Sequence, residues 1–362
     1  MNVPKIAREG LRSVGKLFSP KGAQEDTLEA LWPDQGGSCI RNRGKSWLEA
    51  QVDLSIIIPC YNNAPYLRGC LDSVLGQKTG YSFEAVVIDD GSTDETPEIL
   101  KAYAANPRVR LLRQENQGHS GARNAGLSVC RGKYLLFHDS DDTLLPGSIQ
   151  ALLDCAFQND ADIAIGGYVC KDAAGNVTPG KTYSAGPVTD RQRIPGMTCG
   201  KAFRRRSWAT LQFPLGYWYE DSVISQILLP MARRIYAIDA PVFAYLLNPQ
   251  GVSAASQGRP KSLESLYVTR RLLKEREFFG LRYDQDAYTH FLHMVLLTYH
   301  RTRLLPKDVP YAVFLCQRQL QSTYFSGVSA PESYASLAES LEKGRYYLWL
   351  CETLWLKNRM GG

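Results

Sequence analysis

The chain has 362 residues, 44% of them hydrophobic, 22% charged and 10% aromatic, which fits an ordinary globular protein of about two domains and excludes a disordered, fibrous or low-complexity one. Lys and Arg number 42 against 36 Asp and Glu; the excess is +2 over residues 1–52, −1 over 53–258 and +5 over 259–362, too mild for a nucleic-acid partner but suited to a face resting on anionic lipid or a phosphorylated acceptor. No run of about 18 uncharged apolar residues occurs, which excludes a membrane-spanning helix.

The N-terminal MNVPKIAREGLRSVGKLF scatters charges among its apolar positions and lacks the apolar core of a signal peptide, so the chain is expected in the cytosol. Nine cysteines, an odd number without a CxxC pair, read as reduced and structural. Residues 1–52 form an appendage with one amphipathic stretch, Lys5 to Phe18.

From Asp53 the texture changes. SIII (55–58), FEAVVI (83–88), VRLL (109–112) and KYLLF (133–137) predict strands, and Ala64–Leu75, Thr96–Ala105 and Ser120–Cys130 between them predict helices. Continuous apolar strands separated by helices mean a mostly parallel, doubly wound α/β sheet covered on both faces. A helix over Gly147–Gln158 and a strand over 162–169 follow, and Lys171–Pro187 is expected to be a hairpin or a loop over the site. Residues 53–258 are expected to form this α/β domain. Over 259–362 apolar positions recur at helical spacing, which makes a helical subdomain.

In an open α/β sheet the ligand crevice lies beyond the C-terminal strand ends. After the first strand come Pro59, Cys60, Tyr61, Asn62 and Asn63; after the second, Asp89, Asp90, Gly91, Ser92, Thr93 and Asp94; after the fourth, Asp139, Ser140, Asp141 and Asp142. Two acidic clusters at one edge repel each other unless a cation sits with them, and a hard divalent metal suits such ligands. Asp142 is expected to be structural, capping the helix after Pro146. Asp-Gly-Ser-Thr-Asp also reads as a turn and helix cap, and Arg123 as a partner of a surface carboxylate. Neither GxGxxG after a strand nor GxxxxGK[ST] is present, which disfavours dehydrogenases and P-loop enzymes.

SIIIPCYNN, VVIDDGSTDET, QENQGHSGARNAGL and KYLLFHDSDDTLLP, in this order, resemble family 2 glycosyltransferases of the GT-A fold, inverting enzymes that use nucleotide sugars; the resemblance covers about residues 53–245. It implies a UDP-sugar donor with its base near Pro59 and Tyr61, Asp90 accepting from the uracil ring, and Arg123 close to the nucleotide. Asn62, Asp89 and Ser140 join the nucleotide-sugar set as neighbours on the same loops. Asp139 and Asp141 match the DxD motif that holds ribose and a Mn²⁺ or Mg²⁺ on the diphosphate. Glu220-Asp221 matches the ED motif, with Asp221 as the base and Glu220 as the alternative; both stand at the start of a helix predicted over Asp221–Leu229, whose dipole favours ionised carboxylates. The same pair also reads as a plain N-cap.

Tyr217, Trp218 and Tyr219 can stack on a sugar. Two departures stand out: Tyr245-Leu-Leu-Asn-Pro-Gln-Gly251-Val-Ser253 has no Arg or His for the diphosphate, and the residues before Lys201 differ from the family pattern. His290, His293 and His300 read as a soluble helix face rather than a metal site, and Arg204–Arg206 as a solvated face. The aromatic, basic C-terminal segment reads as an interfacial helix at the inner face of the plasma membrane, as packing on the helical subdomain, or as a homo-oligomer contact.

The implied function is metal-assisted transfer of a sugar from a UDP-sugar to a hydroxyl of a surface polysaccharide or lipid-linked glycan. The alternatives are a catalytically silent glycan- or nucleotide-binding module with the same fold, and a nucleotidyltransferase, which is expected to carry a Gly-rich loop after its first strand, where this chain has Pro59-Cys-Tyr-Asn.

Overall fold

A computed structural model of the chain describes residues 25–41, 49–248, 251 and 256–360; the Lys5–Phe18 stretch and Ser253 lie outside the described residues. Contacts divide the chain into a sheet unit, Gly37–Gly216 with Glu220–Pro249, and a helical unit, Met1–Gly36, Tyr217–Tyr219 and Gln250–Gly362.

The sheet unit contains β1 (Val52–Cys60), β2 (Phe83–Asp89), β3 (Val109–Arg113), β4 (Gly132–Phe137), β5 (Thr143–Leu144), β6 (Ile163–Lys171), β7 (Val177–Pro179), β8 (Gly186–Pro187), β9 (Lys201–Arg204) and β10 (Ile235–Leu246). The sheet runs β3-β2-β1-β4-β9-β6-β10-β5. β3, β2, β1 and β4 are mutually parallel, as is the β6–β10 pair. The sheet is mostly parallel as expected, with β9 entering antiparallel between β4 and β6 and with β5, β7 and β8 adding short antiparallel pairs on β10 and β6. Ile56, Ile57 and Ile58 are all fully buried, which only a strand covered on both faces allows. The order reverses between β1 and β4, so the crevice opens beyond Cys60 and Phe137.

One face is closed by the helix Gly118–Val129, which lies close because Gly126 has no side chain: a Cβ there would come within 2.5 Å of Ile57 Cγ2 and 3.0 Å of Ile88 Cδ1. The Lys171–Pro187 segment folds β7 back onto β6 as a hairpin, after which β8 pairs with β10. Over the predicted Asp221–Leu229 helix the chain forms a π-helical turn, Ile224–Leu228, leading into Leu229–Met231; such turns cluster at functional sites.

The helical unit packs Glu264–Glu275, Gln285–Thr302, Val309–Tyr324, Ala335–Glu342 and Tyr346–Met360. The aromatic character of the last helix serves packing in part: Trp349 is fully buried, with Tyr299 and Phe314 at 5.2 and 5.5 Å between ring centroids, and donates to Gln317 Oε1 at 3.1 Å. Leu354 remains exposed. The histidines do not share one solvated face, since His300 is buried with Nε2 3.2 Å from the Thr353 carbonyl. Nor is Arg204–Arg206 wholly solvated: Arg204 and Arg205 are buried, and only Arg206 is exposed. All nine cysteines are free thiols. No helix among the described residues is long and apolar enough to cross a membrane.

Candidate active site

The loops beyond β1, β2 and β4 converge at the strand-order reversal. Asp90 N donates to Cys60 O at 2.9 Å, which ties the second loop to the first. Asp90 is buried, and its Oδ1 accepts from Gln114 Nε2 at 2.7 Å and Gln117 N at 2.9 Å; among the described residues Oδ2 takes no hydrogen bond. Gly91, at φ 80°, permits this approach, since a Cβ there would sit 3.0 Å from Asn116 N. Asp89 turns inward and accepts from Ser92 N at 2.9 Å, with Arg113 Nε at 3.5 Å from its other oxygen.

Asn62, in the left-handed region at φ 48°, points its Oδ1 at Thr93 N (2.8 Å) and Asp94 N (3.3 Å), and its own N–H donates to Ser92 Oγ at 3.0 Å. Its side chain therefore joins two loops. Ser140 Oγ accepts from Asn63 Nδ2 at 2.7 Å, which docks the first loop on the third. Pro59 is buried within β1 beside Ile88, and Tyr61 is half-exposed at the strand end.

Arg123 is buried on the helix Gly118–Val129, stacked 5.4 Å above the Phe213 ring. One guanidinium nitrogen donates to Asp139 Oδ1 at 2.8 Å and the other to Glu220 Oε1. Burial acts to lower the Arg123 pKa, but the charges of Asp139 and Glu220 outweigh it and hold the group cationic. Burial would likewise raise Asp139, and Arg123 holds it below the usual carboxylate range. Arg123 thus supplies counter-charge to the cluster beyond β4 and to Glu220. Glu220 is buried inside this pair, whereas Asp221 is half-exposed.

Three groups offer ligand atoms within 4.8 Å of one another: Asp139, Asp142 and Cys199. Their chemistry does not suit a hard cation, because burial pushes the Cys199 thiol well up and keeps it protonated. Asp142 is buried, accepts from Leu246 N at 2.9 Å and is pushed up to about 9 by burial and then by Asp139. It ties its loop to β10 instead of capping the helix after Pro146. Asp139 and Asp141 remain as partly exposed oxygen donors, the ligand type that Mn²⁺ and Mg²⁺ take. Burial and then the neighbouring Asp139 charge raise Asp141, as expected of a carboxylate that lacks a full counter-charge.

Lys201 Nζ is buried and donates to Met197 O at 2.7 Å and Cys199 O at 3.4 Å. Burial lowers its pKa to about 8, against the opposing charge of Asp221. Of the three aromatics read as sugar-stacking, Tyr217 and Tyr219 are buried in the helical unit, Tyr217 donating to Asp34 Oδ1 at 2.8 Å. Sequence reasoning missed Gln114 and Gln117 as holders of Asp90 and Asn63 as holder of Ser140. The motif strings contain all three, but nothing in them distinguishes a loop amide that bonds a carboxylate from one facing water.

Residues 55–210 match the family model described as "Glycosyl transferase family 2". The chain is 33% identical over 232 residues to "Uncharacterized glycosyltransferase YibD" of Escherichia coli (strain K12), covering 58% of this chain and 66% of that protein. It is 30% identical over 218 residues to "Glycosyltransferase GlyA" of Streptococcus pneumoniae serotype 4, covering 55% of this chain and 31% of that protein. The chain therefore spans less than two thirds of these relatives. Among solved structures, TarS 1–349 of S. aureus in complex with UDP-GlcNAc superimposes with a TM-score of 0.64 at 19% identity, over 85% of this chain and 92% of that one. The two share the GT-A fold.

Proposed function

The chain belongs to glycosyltransferase family 2, and on that premise we propose that it is an inverting enzyme which moves a sugar from a UDP-sugar to a hydroxyl of a surface polysaccharide or lipid-linked glycan at the inner face of the plasma membrane. The observation that carries the proposal is the Arg123 clamp, which ties Asp139 beyond β4 to Glu220. Glu220 is buried in this clamp, and its half-exposed neighbour Asp221, the Asp of the Glu-Asp pair, is the carboxylate that takes the proton of the attacking acceptor hydroxyl. The acceptor oxygen bonds to the anomeric carbon as the bond to the diphosphate oxygen breaks, and attack from the opposite face inverts the centre.

Asp90, held at Oδ1, offers Oδ2 to the donor's base; TarS, which shares the fold, is solved with UDP-GlcNAc. Asp139 and Asp141 would hold Mn²⁺ or Mg²⁺, which when bound neutralises charge on the departing diphosphate. The +5 balance of residues 259–362 favours an anionic membrane surface.

The test compares Asp221→Asn with the unaltered chain, reading UDP release in the presence of acceptor and the Mn²⁺-dependent thermal shift with UDP. Asp221→Asn is expected to lose about 10²- to 10⁴-fold in turnover while its UDP shift stays unchanged. A full-speed variant removes Asp221 as the base. Release of pyrophosphate points to nucleotidyl transfer, and an unaltered chain that neither shifts nor turns over is a silent module.

A further inference from the structure

We propose that Lys201 is a positioning residue for the transfer, its ammonium gathering residues 196–200 into a brace that holds Asp221 in place relative to Asp139. Lys201 opens β9 and is only 3% exposed. Its Nζ donates back to Met197 O at 2.7 Å and to Cys199 O at 3.4 Å, so one cation draws together two carbonyls of a short segment. Among the described residues it forms no ion pair. A neutral donor could hold the same two carbonyls without the desolvation cost of a buried cation, so the charge points to a use beyond the segment's own stability.

That use lies where the segment meets the site. At Gly196 a Cβ would come 3.1 Å from Ser225 Oγ and 4.0 Å from Asp221 O, which puts the start of the segment against the turn that carries Asp221. Near its end, Cys199 Sγ lies within 4.8 Å of carboxylate oxygens of Asp139 and Asp142. Lys201 bonds Cys199 itself and Met197, the neighbour of Gly196, and so fixes the spacing between the two sides of the site from behind. Burial lowers the Lys201 pKa and the Asp221 charge opposes it; by reciprocity the ammonium favours the ionised Asp221 that a base requires. Asp139 has an independent anchor in Arg123, so loss of the brace falls on Asp221 and leaves the nucleotide side intact. A misplacement of about 1 Å costs on the order of 10²-fold in rate. Because it is exercised on Asp221, this role rests on the transferase reading.

The experiment uses the full chain and reads three quantities: UDP release from UDP-glucose, UDP-galactose and UDP-N-acetylglucosamine with chitotetraose, cellotetraose and maltotetraose as acceptors, the thermal shift with UDP plus Mn²⁺, and chemical unfolding. The variants are Lys201→Met, Asp221→Asn and the two combined. Gly196→Val presses on the same turn without removing a buried charge, and takes the place of Lys201→Met if that variant fails to fold. Lys201→Met is expected to lower kcat about tenfold to a hundredfold, with KM for the donor and the UDP shift unchanged. It is expected to add nothing to Asp221→Asn in turnover, and to couple with it by about fivefold or more in the unfolding equilibrium constant. A bystander lysine gives the same fractional loss with or without Asp221, and that result, or a full-speed Lys201→Met, overturns this role alone. If UDP shifts the unaltered chain but no probe pair turns over, the unfolding cycle decides: coupling supports the role and additivity overturns it. A chain that neither turns over nor responds to UDP removes the transferase reading and this role with it.

Discussion

Arg123 joins two carboxylates that arrive from different parts of the chain, one of them 97 residues away. A guanidinium suits this position because its planar fork donates along two directions at once, which an ammonium cannot reproduce in the same geometry. Replacing one partner of a buried ion pair leaves a charge without compensation, at a cost of about 3–5 kcal/mol. Arg123→Met is therefore expected to lower unfolding stability by about that amount in a denaturant titration, and Arg123→Lys to recover only part of it. An Arg123→Met variant as stable as the unaltered chain would show that the clamp contributes nothing to the fold. The three carboxylates beyond β4 divide by environment rather than by residue type: Asp139 meets Arg123, Asp142 meets a β10 amide, and Asp141, among the described residues, has the long contact from Asn248 at 3.5 Å.

At the scale of elements, the site depends on how closely the helix Gly118–Val129 approaches the sheet, since that helix carries Arg123. Gly126→Ala places a methyl 2.5 Å from Ile57 Cγ2, so the helix must retreat or the core must shift; a loss of about 1–3 kcal/mol is expected by overpacking. Thermal unfolding, with turnover measured in parallel, tests whether stability and activity fall together. Glu84 on β2 performs a comparable service at the opposite end of the sheet. It accepts from Ser55 Oγ at 2.6 Å and from Arg131 N and Nε at 2.8 and 2.9 Å, and joins β1, β2 and the start of β4. Burial acts to raise its pKa, but the bonds from Ser55 and Arg131 outweigh it and hold the folded value below the ordinary one. A depressed folded value stabilises above the unfolded glutamate pKa, and that stability is lost as pH falls through the folded one. Glu84→Gln is thus expected to cost about 1–3 kcal/mol at neutral pH and progressively less on acidification. Melting curves across the acid range test this, and a deficit independent of pH would count against the ionised form.

Over the whole molecule, the helical unit gathers segments that the linear order keeps apart. Glu264 accepts from the Trp218 backbone N at 2.7 Å and from Trp32 Nε1 at 3.0 Å, while Lys261 sits 5.0 Å from the Trp218 ring centroid. One carboxylate thereby fixes residues from three stretches of sequence, and Glu264→Ala is expected to lower stability by about 1–3 kcal/mol, read by chemical denaturation; a variant within a few tenths of the parent would mean that water replaces both bonds. By itself the sequence determined the strand and helix succession of the sheet unit, its winding and the gathering of Asp90, Asp139 and Asp141 at one edge, because apolar runs and turn residues encode local periodicity and strand ends in a parallel sheet point one way. The antiparallel entry of β9, the pairing of Arg123 with Glu220, the inward turn of Asp89 and Asp142, and the bonding of Asn62 across two loops were decided only by the tertiary structure. They depend on which side chains meet after packing, and a carboxylate in a loop looks the same in sequence whether it faces a backbone amide, an arginine or water.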